Sequence, residues 1–578
     1  MKKQFVIILI IASAFVIRVP ASAQSCTGAT CTAASASQSD VLAALPSSGN
    51  TNSTVVVNIP AGTAAWSSGI SYTIPAAVTN LTIQGATTVN CTGTAGTSSY
   101  ACSANDRTVI QDNWNNGTGQ GLLQFITGGN SSSFRITGIT LAGGTTTQSK
   151  YGQIDIKGST WNLRIDHNHF NNEAFANPYQ VSTAAGRIEG QNKGVIDHNL
   201  FDLATCNGAI GGVCNAIEAG FEAFNTLGDD VGFGDGTWAK KTPWGTDAFI
   251  FMENNVFNGG APNDCASAGT FVMRYNTIND AYVGIQTHAT KSQAGPERGC
   301  RAYEAYHNYL TGPADGGSTA RASGAMGSKI GTSLVWGNTM AEGYYRLFQA
   351  CTDRNCGSTT ETSAPSGWGF CGTSSINAST GSANGVGSPW DGNSSSSTGY
   401  PCLDGLGRGQ TQQPLNGQAQ PNRLNSVTGG ISWPHQLLEP IYMWANSIPS
   451  WATYAMVQDI TTKNNQDYYY DCGSNNSSCS GGFTGAAGTG YGTLASRPST
   501  CTAGPGGTYG TSPTGSYGVG YFATDANSGN GELYVCTSTN TWTGIYQPFQ
   551  YPHPLVSGSS GTTGSTPPAP TNLVSTAY

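Results

Sequence analysis

Short segments that mix apolar and polar residues around an asparagine recur through the middle of the chain. They read IDHNHF at 165–170, IDHNLF at 196–201, MENNVF at 252–257, MRYNTI at 273–278, AYHNYL at 305–310 and VWGNTM at 335–340. This mixture over so short a length predicts strands with two different faces rather than helices. Aligning the segments places six asparagines in one column: Asn168, Asn199, Asn255, Asn276, Asn308 and Asn338.

The asparagines are separated by 31, 56, 21, 32 and 30 residues, and the interval of 56 is interpreted as two turns of which one lacks the marker. Self-similarity at such a period is typical of a solenoid. One strand per turn, stacked on its counterpart in the next turn, predicts an all-β fold, a right-handed parallel β-helix. An asparagine repeated at one bend tolerates left-handed backbone and can hydrogen-bond its counterparts, so polar groups at the bend find partners.

The composition agrees with a solenoid. The chain of 578 residues contains 78 glycines, and 10% of its residues are charged, against a usual ~25%. Because a solenoid grows along one axis, a chain of this length need not divide into several globular domains.

The first 23 residues are predicted to be a signal peptide. Lys2 and Lys3 precede an apolar run at 5–17, and the small residues at 21–23 are typical of a cleavage site. Removing Lys2, Lys3 and Arg18 changes the formal net charge from −8 to −11, since this segment carries no acidic residue. No other stretch is long and apolar enough to span a bilayer. We therefore expect a protein exported to the periplasm or the medium.

The remaining chain is divided by composition. Residues 24–80 are predicted to form an N-terminal cap with a short helix at 41–45, capped by Asp40, because an open solenoid end exposes unpaired backbone. The β-helix is expected over 81–450, with a Gly/Ser/Cys-rich insertion near 350–425 and one further marked asparagine at Asn446. A Cys/Tyr/Gly-rich β module follows at 451–555, and the last segment, 556–578, is a linker or tail.

Sixteen cysteines fit an oxidising compartment. Five near pairs are Cys26/Cys31, Cys91/Cys102, Cys206/Cys214, Cys351/Cys356 and Cys472/Cys479, and the others can pair as Cys265/Cys300, Cys371/Cys402 and Cys501/Cys536. Connectivity stays open at this point. Metal binding through cysteines is the competing interpretation, but the regular CxxC arrangement of zinc sites is missing.

Several phrases carry a resemblance to a known family. DVLAAL, IPAGTAAW, IQGA and IDHNHF make the chain resemble secreted right-handed parallel β-helix proteins of the pectate-lyase-like superfamily. FIFMENNVF, GTFVMRYNTI, QTHA, ERGCRAYEAYHN, GYPCLDGLGRGQ, TLASRPSTC and YPHPL are similar to those of a bacterial group within it. The resemblance covers most of 35–555 and implies the fold. It does not imply one reaction, because the superfamily holds lyases, hydrolases, esterases, epimerases and adhesins. The Arg-x-Pro-x-x-Arg element of its calcium pectate lyases and the Gly-His-Gly element of its polygalacturonases are both missing.

Ionisable residues concentrate within 253–304, and in a chain so poor in charge this cluster is the candidate site. Glu253 and Arg274 align on consecutive turns and are expected to stack on one face, with a loop of cationic residues beside it. The candidate catalytic residues are Glu253, Arg274, His288, Arg301 and Glu304, and the candidate substrate-binding residues are Lys291, Arg298, Trp238 and Trp244.

Two chemistries suit this set. In β-elimination, His288 or Lys291 removes the proton beside a uronate carboxylate that Arg274, Arg298 or Arg301 holds. In hydrolysis, Glu253 and Glu304 flank the glycosidic bond, with Asp264 in reserve. The structural alternatives are a Glu253–Arg274 ion pair that only supports the ladder, and tryptophans that only anchor a loop. His167 and His198, inside the repeated Asp-His-Asn phrase, are interpreted as turn-stacking residues.

These observations predict an exported protein that acts on polysaccharide, by lyase-type cleavage ahead of hydrolysis. The alternative from another class is a non-catalytic adhesin or carbohydrate-binding protein of the cell surface or matrix, which the Ser/Thr/Asn-rich composition favours. An acidic chain without a basic stripe argues against nucleic acid as a partner. A calcium bridge would help such a chain hold a polyuronate, but no loop carries the dense acidic ligands of a calcium site. The cofactor and the oligomeric state remain undefined.

Overall fold

A computed structural model describes residues 26–557 of the chain apart from several internal segments. The segments outside the description are 115–119, 130–131, 145–151, 173–185, 189–191, 204–214, 220–234, 239–240, 266–267, 282–283, 288–298, 314–323, 351–405, 412–435, 458–461, 474–475, 480, 505–507, 510–511 and 514–516. The predicted signal peptide, the tail and most of the predicted insertion therefore lie outside the described residues.

Long parallel sheets run the length of the molecule and confirm the predicted parallel β-helix. Sheet A consists of Thr30–Thr32, Thr54–Asn58, Asn80–Gln84, Ser133–Thr137, Asn162–Asp166, Gly194–Asp197, Ile250–Glu253, Thr270–Arg274, Ala302–Tyr306, Thr332–Trp336, Ile441–Trp444 and Tyr468–Tyr470. Sheet B consists of Gly62–Trp66, Thr108–Asp112, Thr140–Gly143, His169–Asn172, Leu200–Leu203, Val256–Asn258, Thr277–Asn279, Tyr309–Thr311 and Thr339–Glu342.

Two further parallel sheets complete the coils. Sheet C consists of Ile70–Thr73, Leu123–Gly128, Ile154–Ser159, Gly186–Ile188, Asn215–Ala219 and Ala261–Cys265. Sheet D consists of Ile285–Gln286, Gly324–Ser328, Arg346–Ala350 and Thr453–Val457. In every one of these sheets each strand pairs with its counterpart in the next coil, as a solenoid requires.

The strands form because alternate residues face the core. In Ser133–Thr137 and Asn162–Asp166, Phe134 and Ile136 stack on Leu163 and Ile165, and all four are buried. The side chains between them point outward, where the two arginines at 135 and 164 form the next column. Inside sheet B, rings from consecutive coils stack at 4.5–4.6 Å between centroids: Phe170, Phe201 and Phe257.

Asparagines stack at the bend between sheets A and B, as predicted. The side-chain Nδ2 of Asn255 donates to Oδ1 of Asn276 at 3.1 Å and to the Ile196 carbonyl at 2.9 Å, while its own Oδ1 accepts from Asn199. The same pattern runs without interruption through Asn168, Asn199, Asn255, Asn276, Asn308, Asn338 and Asn446. The ladder satisfies buried backbone groups at every coil.

The residue before each asparagine has a left-handed backbone. Its φ angle lies between 53° and 62° in all seven coils, and the residues are His167, His198, Asn254, Tyr275, His307, Gly337 and Ala445. Non-glycine residues adopt this conformation at a cost of about 1 kcal/mol or more. The ladder that follows each of these residues holds the bend in place.

The interpretation of the 56-residue interval as two turns is wrong. Strand Gly194–Asp197 pairs directly with Ile250–Glu253, and Asn199 bonds Asn255 without an intermediate coil. The interval is a single coil that carries a long excursion. Likewise, 108 residues separate Asn338 from Asn446, which are direct neighbours in the ladder.

The N-terminal cap differs from its prediction in two respects. The helix spans Gln38–Ala44, and its N-cap is Ser37, whose hydroxyl accepts from the Asp40 amide, rather than Asp40. Parallel stacking begins at Thr30–Thr32 and Thr54–Asn58 instead of residue 81, because both strands pair in sheet A. The helix residues Val41 and Ala44 pack in the same core as the coils.

The C-terminal module begins later than residue 451, since Thr453–Val457 and Tyr468–Tyr470 still belong to the coils. The module contains a four-stranded sheet of Thr489–Gly492, Gly520–Ala523, Glu532–Ser538 and Thr541–Tyr546. Smaller elements are the strands Thr88–Thr92 with Ala101–Asn105, Arg408–Thr411 with Gln436–Leu438, and Thr508–Tyr509 with Ser512–Pro513, the 3-10 turns Ser477–Cys479, Leu494–Ser496 and Asn527–Gly529, and the helices Asp235–Trp238 and Pro554–Ser557.

The module packs on the outer face of sheet A. Five outward residues on consecutive coils of this sheet are nevertheless buried, namely Phe251, Val272, Tyr306, Trp336 and Trp444. They form a second core with Val519, Phe522, Leu533, Val535 and Tyr546 of the module. This cover makes one half of the sheet A face inaccessible to solvent.

Five of the suggested disulfides are present. They are Cys26–Cys31, Cys91–Cys102, Cys265–Cys300, Cys472–Cys479 and Cys501–Cys536. The other three suggested pairs, Cys206/Cys214, Cys351/Cys356 and Cys371/Cys402, lie outside the described residues. In the described part of the chain, no helix has both the length and the apolar character to cross a membrane.

Substitution of Asn255 by alanine tests the ladder. The change removes the acceptor of the Asn199 backbone amide, one of the acceptors of the Asn199 side-chain amide, and the side-chain donor to the Ile196 carbonyl. We expect the free energy of unfolding to fall by about 2–4 kcal/mol, measured by urea denaturation. Asn171→Ala is the control, since Asn171 is only half-buried on the outer face of sheet B. Equal losses in both variants would contradict a special role for the ladder.

Candidate functional site

Glu253 and Arg274 stack on neighbouring coils as predicted, but they do not line an open groove. Both side chains are fully buried, and their Oε2 and Nη2 atoms are 2.6 Å apart. Arg274 also donates to the carbonyls of Phe549 and Gln550, and the other Glu253 oxygen accepts from the His553 amide. The ion pair therefore anchors residues 547–556, which we call the C-terminal strap.

Glu304 belongs to the same covered region. Its Oε1 accepts from the Gly245 amide at 2.9 Å, and its Oε2 accepts from the Tyr546 hydroxyl at 3.0 Å. Burial raises the pKa of Glu304 to about 7, against the opposing effect of these hydrogen bonds and of the Arg274 charge. With both carboxylates buried under the module, Glu253 and Glu304 cannot flank a glycosidic bond, and the predicted hydrolase pair is not supported.

Arg301 and the two tryptophans form anchors as well. Arg301 is buried, contacts Glu439 through Nη2 at 2.9 Å, and lies over the Trp238 ring at 5.0 Å. Trp238 is fully buried and donates to the Gly299 carbonyl. Trp244 stacks on Phe249 at the edge of the second core. The alternative interpretation, that these tryptophans hold a loop, describes their positions, and neither forms an exposed platform for sugar rings.

Three of the remaining candidates, His288, Lys291 and Arg298, lie outside the described residues. Asp264, the reserve carboxylate, is buried on sheet C, and its Oδ1 accepts from the Cys265 amide. The predicted convergence of the whole set in an open groove is thus wrong for its described members. Chain from beyond residue 540 covers Glu253, Arg274 and Glu304. Arg301 is instead buried against Glu439 and Trp238.

The outer face of sheet A is open in the earlier coils. A cleft of about 470 Å³ lies there, lined by Gln84, Gly85, Ala86, Thr87, Thr88, Val89, Asn90, Arg135, Thr137, Gly138 and His167. Gln84 and Thr137 lie on its floor, the buried Asp166 is the next residue in their column, and its wall is the hairpin of Thr88–Thr92 and Ala101–Asn105. Glycines at 85 and 138 occupy the bend column beside His167, where a side chain on either would collide with the backbone of the neighbouring coil.

Charged side chains at this floor form a connected row. Asp166 accepts from Nε of Arg135 at 2.7 Å and from Nη2 at 2.5 Å, and it lies 3.4 Å from Arg164. Arg164 pairs in turn with Asp197 of the next coil through two bonds of 2.9 Å. Burial alone would raise the pKa of Asp166, but the bonds from Arg135 and His167 and the Arg164 charge outweigh it and hold the pKa well below its usual range.

His167 and His198 extend this row toward solvent. Each ring places Nδ1 2.8 Å from the aspartate that precedes it, and the two rings stack in parallel at 5.2 Å. Because Asp166 is ionised and accepts the bond, Nδ1 of neutral His167 carries the proton and Nε2 keeps its lone pair. The His167 side chain is 41% exposed and Arg135 is 39% exposed, so a ligand in the cleft can reach both.

The hairpin wall is tied to the coils at several points. Tyr100 donates to the Asn254 carbonyl at 2.8 Å, and Thr277 donates to the Thr97 carbonyl at 3.0 Å. At the base of the hairpin, His169 lies between two carboxylates, with Nδ1 2.8 Å from Asp106 and Nε2 2.9 Å from Asp202. Since both nitrogens face carboxylates, the ring is an imidazolium that donates twice.

The repeated Asp-His phrase is the signal in the sequence for this site. It predicts turn stacking, which the left-handed backbone and the parallel rings of His167 and His198 bear out. The same phrase also sets an aspartate beside each imidazole, on a coil whose outer face is uncovered. Among the described residues, no group of three or more histidine, cysteine or acidic side chains is arranged to hold a metal ion.

Comparisons with known proteins add no assignment: no protein-family model matches the chain, and no curated protein matches it.

Glu304→Gln tests the burial of this carboxyl. Its pKa is raised from 4.5 to about 7, so its contribution to stability is present below pH 4.5 and is lost as the pH rises through 7. Between pH 5 and pH 8, we expect the free energy of unfolding of the glutamine variant to rise relative to that of the native protein by on the order of 2–3 kcal/mol. Urea unfolding measures this difference. Glu342→Gln, at an exposed carboxyl, is the control. If the difference in free energy of unfolding between the native protein and the variant did not change with pH, the raised pKa of Glu304 would be contradicted.

His169→Gln tests the tie at the hairpin base. Burial lowers the pKa of the imidazole, but bonds to Asp202 and Asp106 outweigh this and raise the pKa above 6.5. The stabilisation is therefore complete below pH 6.5 and is lost as the pH rises through the raised value. At pH 6 we expect the variant to be less stable by about 1–2 kcal/mol, since Asp106 is partly exposed, with the gap closing by pH 9. A gap of equal size at both pH values would argue against an imidazolium.

Proposed function

We propose that the protein binds an acidic polysaccharide in the cleft on sheet A and cleaves it by β-elimination. The observation that carries this proposal is the solvent-facing imidazole of His167, oriented by the buried, ionised Asp166 next to Arg135. The cleft has the size of a typical ligand site, and a few polar groups converge in it. A place outside the cytoplasm belongs to the same proposal, and the five disulfides support it.

The chemistry needs a base and a cation. Nε2 of His167 takes the proton on the carbon beside the uronate carboxylate, and the C–H electron pair forms a double bond to the neighbouring carbon. The bond from that carbon to the glycosidic oxygen breaks, and this oxygen takes a proton from water. Nη1 of Arg135 has no partner among the described residues, so it can donate to the carboxylate and stabilise its growing charge.

The covered region does not supply this chemistry. Glu253, Arg274, Arg301 and Glu304 are at most 1% exposed and bind other parts of the chain, so a polymer in solution cannot reach them. The proposal therefore keeps the predicted reaction type and moves its location by several coils along sheet A. Membership of the pectate-lyase-like superfamily is part of the proposal, and the parallel coils are what supports it.

A non-catalytic carbohydrate-binding protein or adhesin is the second candidate. It is favoured by the structural role of His167, whose left-handed backbone and stacking on His198 would explain the residue without catalysis. In that case Arg135 and the polar floor bind the polymer, and nothing is cleaved.

His167→Asn separates the two candidates. Asparagine is suited to the bend, since Asn254 occupies the same column with the same left-handed backbone. The mature chain is incubated with acidic and neutral polysaccharides, and the ultraviolet absorbance of unsaturated uronate and the release of reducing ends are followed. We expect kcat to fall by about 10²–10⁴-fold in this variant and KM to rise in Arg135→Ala.

His198→Asn is the matched control, because His198 has the same aspartate contact but does not line the cleft. Equal activity of native protein, His167→Asn and Arg135→Ala would overturn the assigned site. Binding without product, weakened by Arg135→Ala alone, would establish the non-catalytic candidate. Neither product nor binding on any polysaccharide would remove the proposal.

A further inference from the structure

A pair of exposed aromatic side chains lies far from the cleft, in the last coils. The large apolar side chains exposed among the described residues are Trp161 at 45%, Tyr345 at 43%, Trp451 at 56%, Tyr491 at 39% and Leu494 at 39%. Tyr345 and Trp451 contact each other, with ring centroids 6.3 Å apart and planes at 90°. Burial of aromatic rings is strongly favourable, so the exposed part of this contacting pair offers a surface that a ligand can cover.

The two rings come from neighbouring coils of sheet D. Tyr345 directly precedes strand Arg346–Ala350, and Trp451 lies two residues before Thr453–Val457. The Thr453 amide donates to the Tyr345 carbonyl at 2.8 Å, so the two segments are joined at this position. The cleft on sheet A, by contrast, is formed by much earlier coils.

Buried neighbours hold both rings in place. Tyr344, next to Tyr345, is fully buried, and its hydroxyl donates to the Ala281 carbonyl at 2.6 Å. Ala452, next to Trp451, is buried, and its amide closes a turn onto the Pro449 carbonyl. The backbone that carries the exposed pair is thus anchored to the coils beneath it, so a ligand that binds there need not order this backbone.

We propose that Tyr345 and Trp451 form a sugar-stacking subsite that takes a pyranose ring of the polysaccharide, an inference that rests on the proposed function. The apolar C–H face of the sugar lies on the indole, and the tyrosine ring meets its edge. Exposed polar residues flank both aromatics along the chain, namely Glu342, Ser450 and Thr453, and these can bond sugar hydroxyls. A protein partner is less well matched, because two rings among polar residues are far from the ~1,200 Å² of a stable interface.

The chain offers a matched control. Trp161 is similarly exposed, but the Lys193 ammonium lies 4.1 Å from the centre of its ring and covers one face. Loss of Trp161 should therefore leave sugar binding unchanged, whereas loss of Trp451 should weaken it.

The test is isothermal titration of the full chain with the polysaccharides bound by the native protein, and of four variants: Trp451→Ala, Tyr345→Ala, Trp161→Ala and Arg135→Ala. We expect about tenfold weaker binding for Trp451→Ala, a smaller loss for Tyr345→Ala and native affinity for Trp161→Ala. Circular dichroism and urea unfolding confirm that the exposed substitutions leave the fold intact.

The outcomes separate this subsite from the cleft. Weaker binding by Trp451→Ala with native affinity in Arg135→Ala supports the subsite and counts against the cleft. Native affinity in Trp451→Ala with weaker binding by Arg135→Ala overturns the subsite and leaves the proposed function standing. Equal losses in Trp451→Ala and Trp161→Ala also overturn the subsite, and no binding by the native protein overturns both.

Discussion

The amide ladder at the bend between sheets A and B is the interaction on which the rest of the structure depends. Each of the five inner asparagines bonds its counterparts in both adjacent coils, and the residue before every ladder asparagine has a left-handed conformation. A parallel strand that slipped by one residue would exchange its inward and outward faces. By pinning one residue per coil, the ladder keeps the apolar columns inside and brings residues from distant parts of the sequence, such as Arg135, Asp166 and Asp197, into one row.

On the outer face of sheet A, the chain segments packed over the charged residues determine whether those residues can contact solvent. In the earlier coils, the row of arginine and aspartate borders a cleft and reaches solvent through His167. In the later coils, the outward positions turn aromatic and apolar, and the module packs on them. There the pair Glu253–Arg274 lies in the same column but binds the backbone of the C-terminal strap. The same column thus borders an open cleft at one end and attaches the C-terminal strap at the other.

The strands and the ladder could be predicted because they depend on residues that repeat along the chain. Three of the suggested disulfides join cysteines 5, 11 and 7 residues apart, whereas the sequence left the connectivity of all of them open. The 56-residue interval could not be interpreted correctly, since an excursion and an extra coil have the same length in the sequence. The burial of Glu253 and Glu304 was equally hidden, because their cover comes from His553 and Tyr546, 300 and 242 residues later. The place of His167 in an open cleft was hidden as well, because the same Asp-His-Asn phrase recurs at His198, and only the tertiary structure shows which of the two lines the cleft.

The excursions between ladder asparagines differ in length, and this has a consequence for the evolution of such a protein. Coils of 21 and of 108 residues contribute the same single step along the axis. Insertions and deletions in these excursions therefore leave the spacing of all other coils intact. The length of an excursion can vary while the stacking of the strands and of the ladder stays the same. A new binding surface can therefore form on one coil without a change in the geometry of the neighbouring coils.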